Sequence, residues 1–146
     1  MIEDLKIREL DTRSGKNGLY MEIWAGGELP DPHHSTSLHR LFPGVVEAWI
    51  NRGEAVERIM CLEGMIKLVL CDRRDDSPTR EEVNEIFLGE FRLREVAVPP
   101  GVLRGWKVVG GRPALVLLAL QGKQGEGETV GLEEAAVDYD WEIVMQ

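Results

Sequence analysis

Apolar and polar residues alternate along this chain in short stretches. Lys6-Ile7-Arg8-Glu9-Leu10 and Leu19-Tyr20-Met21-Glu22-Ile23-Trp24 have the period of two that half-buried strands show. Ser14-Gly15-Lys16-Asn17-Gly18 between them is a turn by composition. Val45–Ile50, Arg58–Leu62, Met65–Cys71, Val83–Leu88, Arg92–Val98, Trp106–Val109 and Ala114–Leu120 read as further strands, with Asp138–Ile143 as a last short one. Asn51-Arg52-Gly53-Glu54, Glu63-Gly64 and Gly110-Gly111 supply turns, and Ser77 and Thr79 are placed to cap a short helical turn. Gly26–Leu41, with Pro30, Pro32, all three histidines and several hydroxyls, reads as a long loop, and Gly122, Gly125 and Gly127 mark another. No ten-residue stretch has a convincing amphipathic helical pattern, and no internal repeat of fixed period occurs. Roughly eight to ten short strands separated by Gly/Pro turns predict an all-β sandwich or barrel.

Within this pattern Val98-Pro99-Pro100-Gly101-Val102-Leu103-Arg104-Gly105-Trp106 forms a stiff pivot. Proline fixes φ and glycine accepts φ > 0, so the chain turns sharply and the residues after the turn are aimed in one direction. Arg104 and Trp106 are predicted to point into the space the fold encloses.

At 146 residues, 43% hydrophobic and 29% charged, the chain suits one globular domain over 1–146 with one ordinary core. No run approaches the roughly 18 apolar residues of a membrane helix. Met1-Ile2-Glu3-Asp4-Leu5-Lys6 has no basic-then-apolar pattern, so a cytoplasmic protein without a signal peptide is expected. A net charge of −9, spread along the chain, repels phosphate backbones and argues against nucleic acid as a partner. Clustered arginines still leave room for a small anion. Cys61 and Cys71 fall on neighbouring apolar segments out of hairpin register, and read as buried small hydrophobes.

Candidate chemistry is sparse. His33, His34 and His39 lie together in the proline-containing stretch, where a rigid metal frame is not expected, so a surface loop is the better reading. Gly122-Lys123-Gln124-Gly125-Glu126-Gly127 lacks the order of a phosphate-binding loop. Any nucleophile triad would have to draw on the same three histidines. Trp24, Trp49, Trp106 and Trp141 all fall in or beside predicted strands, where each is core filling or the lining of a cavity.

The run Gly44-Val45-Val46-Glu47-Ala48-Trp49, the segment Cys61-Leu62-Glu63-Gly64 through Asp72-Arg73-Arg74-Asp75-Asp76-Ser77-Pro78-Thr79, and Val98–Gly110 resemble the dTDP-4-dehydrorhamnose 3,5-epimerase family. Asp11-Thr12-Arg13 followed by Tyr20-Met21-Glu22 looks like that family's D-x-R-G…E segment. The resemblance implies a cupin-type jelly-roll barrel of two antiparallel sheets, a homodimer, a nucleotide-sugar ligand, and no metal or other cofactor.

It also implies where the chemistry has changed. The family's G-V-x-R-G-x-H strand would place Ile50 at the position of its proton-abstracting histidine and Glu47 at that of its arginine. Arg104 stands at the histidine of I-P-x-G-x-x-H-G, Leu118 at the general-acid tyrosine, and Glu57 and Met60 at a lysine and an arginine. A positioned base is worth about 10²–10⁴ in rate, and isoleucine cannot act as one. A carboxylate in place of a cation changes a phosphate contact by about 1–4 kcal/mol toward repulsion. The expectation is a family member that binds a nucleotide sugar or related carbohydrate, with Arg13, Glu22, Glu47, Trp49, Arg58, Arg104 and Trp106 as candidate binding residues and the standard acid/base pair missing. The alternatives are an active epimerase or isomerase that uses other groups, such as Glu47 with its pKa raised by burial, and a non-catalytic dimeric scaffold. Strict alternation would turn Glu47 and Trp49 to one face and Ile50 to the other. Bringing Glu47 and Ile50 together requires a bulge.

Overall fold

A computed structural model describes residues 1–25, 33–122, 128–129 and 137–142. Its strands are β1 (Lys6–Glu9), β2 (Thr12–Gly15), β3 (Gly18–Met21), β4 (His33–Leu41), β5 (Val46–Asn51), β6 (Val56–Glu63), β7 (Met65–Asp72), β8 (Val83–Gly89), β9 (Arg94–Val98), β10 (Val102–Val108), β11 (Ala114–Gln121) and β12 (Glu128–Thr129). Two five-stranded antiparallel sheets, in the orders β1-β9-β6-β11-β4 and β12-β5-β10-β7-β8, face one another, and β2-β3 form a separate hairpin. The expected all-β jelly roll is what the structure shows. Among the described residues no helix is long and apolar enough to cross a membrane.

The main core lies between the sheets. It takes Ile59 and Cys61 from β6, Ile66, Leu68 and Leu70 from β7, Val96 and Val98 from β9, Val102, Trp106 and Val108 from β10, and Val116 and Leu118 from β11. These positions alternate along their strands, as a period of two demands. A second cluster of Trp49, Val69, Cys71, Leu103 and Trp141 lies on the outer face of the second sheet. Residues 137–142 pack across that face, and this explains why β7 is buried on both sides and reads as one apolar run. Cys61 belongs to the inner cluster and Cys71 to the outer one, and both are free thiols. Burial pushes the Cys61 thiol up to about 11.

Three expectations change. Residues 33–41, read as part of a loop, form the nine-residue β4 paired along β11. Residues 26–32 of that stretch, and the glycine-rich 123–127, lie outside the described residues. Residues 137–142, expected in the last strand, form a strap without one, and it docks through the side chains of Val137, Tyr139 and Trp141. Finally, the pivot is shorter than composition suggests. Gly101 has φ +84° and Val102 N–H donates to the Pro99 carbonyl at 3.3 Å, so β10 begins at once and Arg104 lies inside the strand.

A further irregularity positions the site. Along β10, Arg104 is opposite Ile50 and Trp106 is opposite Glu47, so two steps on β10 span three on β5. This β5 bulge turns Glu47 and Ile50 toward the same face and sends Trp49 to the outer cluster.

Candidate functional site between the two sheets

The two sheets end on one side at β4 and at β5, the latter bordered among the described residues by the two-residue β12. Inner-face residues near this seam come from four strands. Arg104 and Trp106, each about 1% exposed, form the floor from β10. Glu57 of β6, also 1% exposed, accepts from Arg104 Nε at 2.7 Å and Nη2 at 3.0 Å in a two-pronged pair. Arg52 Nε adds a third bond to the same carboxylate at 2.9 Å. Burial raises the Glu57 pKa, but the Arg104 and Arg52 charges and hydrogen bonds outweigh it and hold the carboxyl below its ordinary range. The Arg104 guanidinium also lies 4.0 Å from the centroid of the Trp106 ring.

The walls of the seam are more accessible. Glu47, opposite Trp106, is exposed, and Ile50, opposite Arg104, is half-buried. From β4, half-buried His39 presents its ring edge to Trp106 at a centroid distance of 6.5 Å. Its Nε2 is 2.8 Å from Ser37 Oγ. Composition places His39 in a loop, although Ser35, Ser37, His39 and Leu41 alternate as one face of a strand. The prolines just upstream mask that signal.

Of the seven candidate residues, Glu47, Arg104 and Trp106 come together at this seam. Arg104 is not the open anion holder its position suggested, because the Glu57 carboxylate offsets its charge. Trp49 is fully buried on the opposite face of its sheet, 5.4 Å from Trp141 between ring centroids. Arg58 is on the outer face of the other sheet, donating to Glu95 at 3.0 Å and Gln121 at 3.1 Å. Arg8 and Trp24 also donate to Glu95, and together they border a groove of about 340 Å³. Arg13 and Glu22 border a third space, of about 520 Å³, at the β2-β3 hairpin with Arg8 and Tyr20. Neither groove includes the inner-face residues.

No protein-family model matches the chain. A probable low-salt glycan biosynthesis epimerase of Haloferax volcanii is 30% identical over 121 residues, covering 80% of this chain and 76% of that protein. This chain belongs to the dTDP-4-dehydrorhamnose 3,5-epimerase family. The fold agrees with that family. A dTDP sugar isomerase of Desulfovibrio desulfuricans superposes with a TM-score of 0.87 at 23% identity, over 99% of this chain and 94% of the other. An epimerase of Legionella pneumophila, solved in complex with dTDP-4-keto-L-rhamnose, gives 0.81 at 18% identity, over 100% of this chain and 82% of the other.

Proposed function

We propose that this member of the epimerase family binds a nucleotide-linked sugar at the seam between β4 and β5. The β5 bulge carries this reading, because it brings Glu47 and Ile50, three residues apart, to one face above Arg104 and Trp106. That is the layout the family's two working positions require. The scaffold is retained while the side chains on it differ. Ile50 and Leu118 replace the family's histidine and tyrosine, so the standard acid/base pair has no counterpart at those positions. Arg13 and Glu22, on the hairpin, are the remaining candidates for nucleotide contacts. The reading includes a homodimer, for which the exposed apolar residues Leu19, Tyr20, Leu38 and Phe42 on and beside β3 and β4 provide surface.

Glu47 bears on the ligand as well. A carboxylate facing the seam disfavours a phosphate close to Trp106, so the sugar rather than the diphosphate belongs over the Trp106 end. A thermal-shift series with dTDP, UDP, GDP and CDP tests the reading. A ligand at 100 times its Kd adds about 2.7 kcal/mol, a rise of roughly 5–10 °C for a chain of this size. A flat response to every nucleotide overturns it.

A further inference from the structure

We infer that His39 is the group that moves a proton in this protein, taking the place of the base missing from β5. The inference rests on the ligand reading above and adds to it a chemical step and the residue responsible.

Among the described residues, geometry and elimination both lead to His39. A base that works on a sugar held at the seam must reach the inner face and must exchange a proton near neutral pH. Arg104 has its guanidinium committed to Glu57 and set against the Trp106 ring. Glu57 is fully engaged by Arg104 and Arg52, which hold it ionised. Ile50 and Leu118 carry no proton to exchange. Glu47 is exposed, so the burial its use as a base calls for is absent. His39 is half-buried, placed by the continuous β4–β11 pairing opposite the core residue Val116, with its ring fixed between Trp106 and Ser37. Imidazole is the side chain whose ordinary titration lies closest to neutrality.

The Ser37 contact occupies Nε2, and Nδ1 is the nitrogen left to act. In the tautomer with Nε2–H donating to Ser37 Oγ, Nδ1 holds the free lone pair. With a keto sugar at the seam, Nδ1 takes the proton from the carbon beside the carbonyl. The C–H electron pair becomes the C=C bond of an enolate, and the carbonyl π pair moves onto oxygen. Return of a proton to that carbon regenerates the ketone and the neutral ring, so nothing is oxidised or reduced. In this arrangement β4, not β5, supplies the base, and it approaches the sugar from the opposite wall of the seam.

The test uses the intact protein with dTDP-4-keto-6-deoxyglucose in heavy water, reading deuterium at the carbons flanking the carbonyl by mass spectrometry and NMR. Wild type is expected to exchange. His39→Gln and His39→Ala are expected to lower the exchange rate by about 10²–10⁴ while leaving KM and the thermal shift with dTDP unchanged. Added imidazole is expected to restore part of the exchange to His39→Ala only, which a purely structural role would not produce. Nucleotide binding without exchange in wild type overturns the inference and leaves the ligand reading standing. So does His39→Gln exchanging at the wild-type rate. Loss of all nucleotide binding in wild type overturns both.

Discussion

Replacing Glu57 by glutamine removes a negative charge from one of the most enclosed positions in the protein and keeps its shape. Arg104, about 1% exposed and bonded to Glu57 through both Nε and Nη2, would then be left as a buried cation without its carboxylate. Breaking such a buried pair from one side costs about 3–5 kcal/mol, since the desolvation of the remaining ion goes uncompensated. For a chain of this length that lowers Tm by roughly 10–20 °C. Arg52 does not offset the loss, because it is itself a cation and can turn toward solvent. The double variant Glu57→Leu/Arg104→Met removes both ions together and is expected to recover most of the stability. Urea unfolding followed by tryptophan fluorescence measures all three proteins.

A pH series sharpens the same test. The Glu57 carboxyl is held below its ordinary value of 4.5, so its contribution is complete above that value and is lost as pH falls through the lower folded value. The gap between wild type and Glu57→Gln is therefore widest near neutrality and narrows in acid. A Glu57→Gln protein within about 1 kcal/mol of wild type at pH 7, a threshold well under the range for a broken buried pair, would refute the argument.

The outer face of the second sheet gives two other expectations. A Cβ on Gly105 would lie 2.8 Å from Ala48 Cβ and 2.9 Å from Trp141 Cζ2, so Gly105→Ala pushes the strap off the β5 bulge. A loss of about 1–3 kcal/mol and a red-shifted tryptophan emission are expected, and unchanged emission would mean the strap does not rest there. Tyr139 donates its hydroxyl proton to Glu85, and burial, then that bond, raise its phenol above the ordinary value of 10.0. A raised value means stability is kept below pH 10 and declines as pH climbs toward the folded value, which ultraviolet titration of wild type against Tyr139→Phe will show.

Much of the architecture was legible in order along the chain. Strands at Met65–Asp72, Val83–Gly89 and Ala114–Gln121 carry dense β-branched and aliphatic residues between clear turn signals, and there local pattern and tertiary structure agree. The site was less legible. His39 is separated from Pro32 by a run of histidines and hydroxyls, so composition argued for a loop, whereas pairing with β11 over the length of β4 made it a strand. Trp49 looked equivalent to Trp106 because both are tryptophans in strands, and only the register of β10 against β5 sends them to opposite faces.

The sequence alone determined that the chain is all-β, that Pro99-Pro100-Gly101 turns it sharply, and which family it resembles, because these depend on local periodicity, fixed φ and residue order. Tertiary structure decided which side chains share a face. One extra residue in β5 inverts the alternation beyond it, and such an insertion leaves no mark on hydrophobic spacing. The pairing of Arg104 with Glu57, 47 positions away in sequence, belongs to the same class. Each residue reads as a charge that is free to meet a ligand until the fold encloses them together.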